Sequence, residues 1–324
     1  MGRAVAPPTL EQAQAARDRI RGDVLETPFL RHEIGGRELY LKLENLQPIG
    51  SFKLRGALNA VRSLPPKEMA QGVYTASAGN MAQGVAWAAR HAGVPSVAVV
   101  PDTAPRAKLD AIRALGGSIR AVSPSAWWDA MKNHGYEGIA GRFVHPFADD
   151  LVIAGNGTIA MEMLEAVPDL DALFVPWGGG GLACGIASIA RAINPAIRVF
   201  ACEVRDAAPL AAALAAGSPV TIQNRRSFID GIGGPGVFEE MWPMARALIT
   251  DSLVVDVDDV ADSVRYLTSR ARCVAEGAGA TALAAAIIHT PTLEPRVSRA
   301  GCVISGGNID AAVLARILAG ETPT

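Results

Sequence analysis

The 324-residue chain is short of aromatic residues, of paired cysteines and of net charge, and each shortage removes a class of protein. Aromatics make up 5 % of the sequence, whereas glycine alone occurs 33 times. Small side chains suit helices packed closely on sheets better than a β-sandwich. The four cysteines, Cys184, Cys202, Cys273 and Cys302, lie far apart and form no C-x-x-C pair. Neither a zinc site nor a disulfide framework is indicated, and buried reduced thiols in a cytoplasmic protein are expected. A formal charge of −2 gives no electrostatic reason to expect nucleic acid or an anionic membrane as partner. The longest apolar stretch, AGATALAAAIIH, is too short to span a bilayer. At the N-terminus, MGRAVAPPTLEQAQAARDRIRG lacks the apolar core of a signal peptide, and Ala6 stands where a myristoylation signal needs Ser or Thr.

What is present is a repeated alternation of short apolar runs with longer helical segments. VYTAS leads into GNMAQGVAWAARHAG, SVAVVP into APRAKLDAIRALGG, ALFVPWG into GGLACGIASIARAIN, and GCVISGGN into IDAAVLARILAG. Strands that alternate with helices of this length predict parallel sheets covered on both faces, and the strands are continuous apolar runs as that arrangement requires. Near the N-terminus, TLEQAQAARDRIRG predicts a helix with Thr9 as N-cap and Gln12 completing a capping box. The pattern is interrupted at HPFADDLVIAGNG, which suggests a boundary between two structural units. A chain of this length is expected to form two cores.

In open α/β sheets, ligands bind beyond the carboxyl ends of the strands, so the strand-to-helix corners are where chemistry is sought. Four corners carry unusual residues: GSFK, SAGN, WGGGGL and SGGN. The run Gly178, Gly179, Gly180, Gly181 removes every side chain at a predicted helix start. Backbone N–H groups can converge there on an anion, helped by the positive helix end. No Lys-Ser/Thr follows and G-x-G-x-x-G is absent, so one phosphate monoester fits better than a dinucleotide. Taken alone, the run is also what a sharp turn would show. Asn80 taken alone is a helix cap, Ser305 a turn residue, and Lys53 a solvated first-turn lysine. A reactive amine needs a lowered pKa, which the positive end of a helix favours. The combination of amine, anion cradle, amide and hydroxyl at four corners is what points to a site.

In this order and spacing, GSFKLRGA, SAGNMAQG, GGGGLA and SGGN resemble the fold-type II pyridoxal-phosphate enzymes, most closely the threonine/serine dehydratase and serine racemase branch. The resemblance runs from Thr27 to the SGGNID corner. It implies an α/β fold of the tryptophan synthase β type, with two open, mostly parallel sheets and the cofactor between a large and a small domain. The large domain would comprise residues 1–47 and 149–324, and the small domain 48–148. Lys53 would form the Schiff base with pyridoxal 5′-phosphate, and Phe52 would pack beside the ring. Asn80 would bond the ring hydroxyl, while Gly178, Gly179, Gly180, Gly181 and Leu182 hold the phosphate. Ser305 would face the ring nitrogen, and Gly231 and Glu276 would line the cofactor pocket. The loop Ser77, Ala78, Gly79, Asn80, Met81 would receive the substrate carboxylate.

The implied activity is an ammonia-lyase that removes the β-hydroxyl of a 3-hydroxy amino acid and gives a 2-oxo acid and ammonia. Three departures from the family pattern qualify it. Ala78 occupies the place where racemases carry a second serine that works as acid/base, which disfavours racemisation. Met81 replaces a histidine, and with Trp127 and Trp128 it would favour a bulky or aromatic β-substituent, as in threo-3-phenylserine, if those side chains approach the pocket; otherwise they are core residues. Pro209 stands where the family's divalent-cation site has an Asp; Glu203 is retained and Asp206 lies nearby, so a cation is disfavoured. The alternatives are a dehydratase for threo-3-phenylserine or 3-hydroxyaspartate, an amino-acid racemase, a β-replacement synthase, and a non-catalytic binder of the cofactor. The residues from Ile309 to Thr324 are too few for a regulatory domain, which suggests the short catabolic type. A homo-oligomer, by resemblance a dimer, is expected.

Overall fold

The computed structural model describes residues 5–225 and 227–323. The larger of its two sheets runs, in spatial order, β1 (Phe29–Ile34), β2 (Arg37–Lys42), β10 (Arg299–Val303), β7 (Ala172–Pro176), β8 (Arg198–Val204) and β9 (Asp251–Val255). Only β1 is antiparallel, pairing with β2. The smaller sheet runs β5 (Ser118–Val122), β4 (Ser96–Pro101), β3 (Val73–Ala76) and β6 (Arg142–Phe143), all parallel. The helices are α1 (Leu10–Ile20), α2 (Lys53–Arg62), α3 (Pro66–Met69), α4 (Asn80–Ala92), α5 (Arg106–Ala114), α6 (Pro124–Lys132) and α7 (Asp150–Ala166). They continue as α8 (Gly181–Ile193), α9 (Pro209–Ala216), α10 (Trp242–Leu248), α11 (Val257–Ser269), α12 (Gly277–His289) and α13 (Ala311–Leu318). The capping box predicted at Thr9 and Gln12 opens α1. Among the described residues no helix is long and apolar enough to cross a membrane.

Alternate residues of the central strands serve different cores, because successive side chains of a strand point to opposite faces. Leu173 and Val175 join a core with α7, α8 and α10, whereas Ala172 and Phe174 join one with α11 and α12. Both faces of the sheet are therefore apolar, and its strands are apolar runs in the sequence. All four cysteines are buried free thiols.

The glycines of DLVIAGNG do not interrupt structure, contrary to what their polarity and spacing suggest. They lie inside α7, whose start is capped by Asp149 accepting from the Leu151 and Val152 N–H groups. A Cβ on Gly155 would stand 2.7 Å from the Arg55 carbonyl oxygen, so glycine there lets α7 touch the backbone of α2.

The same two helices share a buried charge network. Arg55 Nε donates to Glu44 Oε2 at 2.8 Å, and Arg55 Nη1 to Glu162 Oε1 at 2.5 Å. Lys42 Nζ lies 2.5 Å from Glu162 Oε2, and Thr27 donates to Glu44 at 2.6 Å. Burial pushes the Glu44 carboxyl up, but the Arg55 and Lys42 charges and the donated hydrogen bonds reverse this and leave it below its ordinary value. Two cations face two carboxylates, so no charge is left alone. Removing one member strands the rest, which costs about 3–5 kcal/mol. Arg55→Met is therefore expected to lower the unfolding free energy from denaturant titration by an amount in that range; an unchanged value would show that Glu44 and Glu162 find other partners.

Candidate active site

Lys53 is the first residue of α2, and its amine is brought to the centre of the corners by two short connections. The Phe52 N–H donates to the Ser305 carbonyl at 3.0 Å, and the Gly307 N–H to the Gly50 carbonyl at 2.9 Å. The GSFK and SGGN corners are thereby sewn together. Lys53 Nζ donates to the Pro146 carbonyl at 2.6 Å and lies 5.1 Å from the Phe52 ring centre. Desolvation lowers its pKa to about 8, against a smaller opposing pull from Glu276. An appreciable fraction of the amine is thus uncharged just above neutral pH, as a nucleophile requires.

The glycine corner stands at the start of α8. Gly180 adopts φ +93°, and Cys184 is the first residue to donate back into the helix, to the Gly180 carbonyl. The N–H groups of Gly181, Leu182 and Ala183 precede that bond and have no helical acceptor, which leaves an anion cradle at the positive helix end. Gly178 lies beside Gly231, whose carbonyl oxygen would be 3.5 Å from an added Cβ. At Gly179 and Gly181 an added Cβ would meet Phe147, at 2.2 Å from its ring and 2.6 Å from its carbonyl oxygen. Glu276 is buried between this region and the fourth corner. Its Oε1 accepts from Asn80 Nδ2 at 2.8 Å and would lie 3.7 Å from a Cβ on Gly231. Burial, aided by the Asp230 charge, pushes the Glu276 carboxyl up to about 7.

The loop ahead of α4 is half-buried from Ser77 to Asn80. Ser77 Oγ accepts from the Gly79 N–H at 3.2 Å, and a Cβ on Gly79 would meet nothing within 4 Å. Of the two readings given for the Met81 side chain, the structure shows the core one. Met81 is 2 % exposed and packs with Leu54, Val61 and Val85 in the core between α2 and α4. Only its backbone belongs to the loop. Trp127 and Trp128 lie on α6; Trp128 meets the Phe238 ring at 5.4 Å, and Phe238 meets Phe147 at 4.9 Å.

Three parts of this arrangement carry no clear mark in the sequence. The Pro146 carbonyl is one. His145 is the second: its Nδ1 accepts from the Phe147 and Ala148 N–H groups at 3.2 and 2.8 Å and shapes the turn that presents Pro146. Asn308 is the third, although it stands inside the SGGN motif. His145 also groups with His134 and Glu240, with ligand-type atoms within 4.8 Å of one another. Since Nδ1 accepts, the ring proton sits on Nε2, the atom a cation would need bare. The other cation candidate is also spoken for. Glu203 accepts from the Leu210 and Ala211 N–H groups at 2.9 and 2.8 Å and from Ser252 Oγ at 2.6 Å, capping α9 where Pro209 begins it.

An amine of lowered pKa, an anion cradle at the start of α8 and a buried amide–carboxyl pair are the features a phosphorylated carbonyl cofactor needs. The comparisons make this specific. Residues 20–306 match the family model for "Pyridoxal-phosphate dependent enzyme", and the chain belongs to that family. Pyridoxal phosphate is its cofactor. The chain is 35 % identical to an L-threonine ammonia-lyase of Thermotoga maritima, over 96 % of its own length and 78 % of the relative's. It is 36 % identical to a serine racemase of Oryza sativa subsp. indica, over 94 % and 91 % of the two chains. The solved structure of maize serine racemase superposes with a TM-score of 0.90 at 32 % identity, covering 97 % of this chain and 98 % of that one. The residues present fit the cofactor: the α8 cradle suits its phosphate, and Lys53 its aldehyde.

Two outcomes follow from these contacts. Gly179→Ala should cost the phosphate corner its shape, lowering cofactor affinity at least about tenfold by titration, whereas Gly79→Ala should leave the melting temperature unchanged and raise the KM for amino acid; equal effects of the two would refute the distinction. Prolonged EDTA treatment should leave cofactor binding and melting temperature unchanged; a loss restored by Mg²⁺ would mean that Glu203 gives up its capping role to a cation.

Proposed function

We propose that the chain is a β-eliminating ammonia-lyase that takes a 3-hydroxy amino acid of the serine/threonine kind to a 2-oxo acid and ammonia. The observation that carries this is Ala78. Inverting Cα requires one group to remove the proton from one face and another to supply it on the opposite face. Lys53 can act on one side, but Ala78, in the loop that would face the other, has no proton to give. Relatives named as ammonia-lyase and as racemase are about equally similar, so the choice rests on residue 78.

When bound, the cofactor supplies an aldehyde that condenses with amines and a ring that accepts an electron pair. The rest is the work of the chain. The α8 cradle takes the phosphate and anchors the ring at one end. The Asn80 and Met81 N–H groups, which open α4 without a helical acceptor, take the substrate carboxylate, and Gly79 leaves room for it. Lys53, once its amine is free, stands where it can remove the Cα proton, and the Pro146 carbonyl holds that amine by its N–H. Ser305 offers a neutral hydroxyl at the ring nitrogen, which disfavours full protonation there and favours prompt loss of the β-hydroxyl. Phe52 covers one side of the pocket and helps keep water out.

A second reading, a dehydratase for an aryl-substituted 3-hydroxy amino acid, is favoured by one observation. The run Trp128, Phe238, Phe147 leads edge to face from α6 to the glycine corner. Aromatic faces of this kind accept another ring at a gain of about 0.5–1.5 kcal/mol beyond area burial.

Incubation with L-serine, L-threonine, threo-3-phenylserine and threo-3-hydroxyaspartate, scored for 2-oxo acid and ammonia, decides between them. Turnover of serine or threonine is the expected result. Turnover of phenylserine alone would select the second reading, and racemisation without ammonia would refute both. Lys53→Ala should abolish the visible absorption of the lysine-bound cofactor together with ammonia release.

A further inference from the structure

Asn80 is held from both ends. Its Oδ1 accepts from Asn308 Nδ2 at 2.8 Å, and its Nδ2 donates to Glu276 Oε1 at 2.8 Å. An amide can be turned over at no covalent cost, so which end faces a ligand depends on the partners. Here the partners leave no freedom. Asn308 Nδ2 also donates to the Ile49 carbonyl at 2.8 Å, and a backbone carbonyl can only accept. That bond fixes the nitrogen end of Asn308. Its second N–H can then meet only an acceptor, so Asn80 must turn Oδ1 toward it. The Asn80 nitrogen is thereby directed to Glu276, whose oxygen accepts. One N–H of Asn80 is used and one is left over.

The local backbone is shaped for this chain of bonds. A Cβ on Gly306 would stand 2.3 Å from Glu276 Oε1 and 3.3 Å from Asn80 Nδ2, so only glycine admits the pair. The Glu276 N–H donates to the Gly306 carbonyl at 3.0 Å, and the Gly307 N–H to Gly50 at 2.9 Å, which holds Glu276, Asn308 and Ile49 on one frame.

We propose that Asn308 and Glu276 are positioning residues that lock the Asn80 amide with its nitrogen toward the cofactor pocket, so that the ring oxygen of bound pyridoxal phosphate meets a hydrogen-bond donor rather than a lone pair. The inference rests on the assignment of Asn80 to the ring oxygen. Direction matters because that oxygen is anionic in the working cofactor, and a donor to a charged group is worth more than one to a neutral group.

The test uses holoenzyme and reads cofactor binding, not turnover. In Asn308→Asp the side chain can only accept, so the Ile49 carbonyl loses its donor and Asn80 must turn over to serve residue 308. The Kd for pyridoxal phosphate, measured by dialysis with visible absorption, should rise about tenfold or more. The pH midpoint of the visible band should rise as well, since an anionic oxygen that loses a donor holds its proton more tightly. Glu276→Gln, which keeps an acceptor oxygen, should fall nearer wild type than Glu276→Leu in both readouts. Wild-type affinity and midpoint in Asn308→Asp overturn the proposal. If that variant does not fold, as judged by circular dichroism of the cofactor-free chain, Asn308→Ser decides by the same two readouts. A wild-type chain that takes up no pyridoxal phosphate, or a Lys53→Ala variant that keeps the visible band, would instead overturn the assignment of the site itself.

Discussion

Arg55 lies two residues beyond Lys53 and is 1 % exposed, with two carboxylates around its guanidinium. Those carboxylates come from Glu44, just after β2, and from Glu162 in α7, while Lys42 of β2 closes the ring of charges. A buried group of this kind adds little net stability, because desolvation offsets the attraction. What it supplies is a single arrangement. Any rotation of α2 about its axis would carry the Arg55 guanidinium away from the two buried carboxylates it neutralises. Lys53 shares that helix, so its amine has one place to be. The requirement extends to the backbone, since Gly155 and Gly56 let α7 and α2 approach closely enough for the contacts to form.

Fixing α2 also fixes what surrounds the amine. The segment from Ile49 to Phe52 is hydrogen-bonded to Ser305, Gly307 and Asn308, so the corner after β10 follows the corner before α2. The turn that presents Pro146 precedes α7, and α7 is tied to α2 by the same charges. Phe147 in that turn fills the space that side chains at residues 179 and 181 would need. The absence of side chains in the glycine run therefore has two causes. Part of it opens N–H groups to an anion, and part lets an aromatic ring reach the loop. A sequence shows the glycines but not which cause applies at which position.

That distinction marks the limit of what the sequence discloses more generally. The alternation of strands and helices is plain because buried parallel strands are unbroken apolar runs, and the corners stand out because glycine, lysine and asparagine are unusual at strand ends. Lys53, Asn80, Ser305, Gly231 and Glu276 are far apart in the chain; the family resemblance is what groups them, and hydrogen bonds join Asn80 to Glu276 and the Phe52 backbone to that of Ser305. Met81 is different. An apolar residue in a loop motif gives no sign of its direction, and the first turn of α4 points it into the core with Leu54 and Val85. The Pro146 carbonyl has no side-chain signature at all. Asn308 is visible in its motif, but its role depends on a carbonyl 259 residues away in the chain.

The electrostatic state of the pocket follows from the same burial. Desolvation moves Lys53 down to about 8 and Glu276 up to about 7, so each shifts toward its neutral form. Their mutual attraction opposes both shifts and is the smaller effect for Lys53, where desolvation is the leading cause. Burial thus moves the Lys53 amine toward the uncharged form that a nucleophile and base needs. The anionic groups of the cofactor must then be met by dipoles instead of ions. The start of α8 offers N–H dipoles suited to a phosphate, and under the proposed assignment an oriented Asn80 N–H would serve the ring oxygen. Dipoles of this kind are useful only if they cannot turn, which is why an exposed asparagine bonded to a backbone carbonyl can matter as much as the charged residues around it.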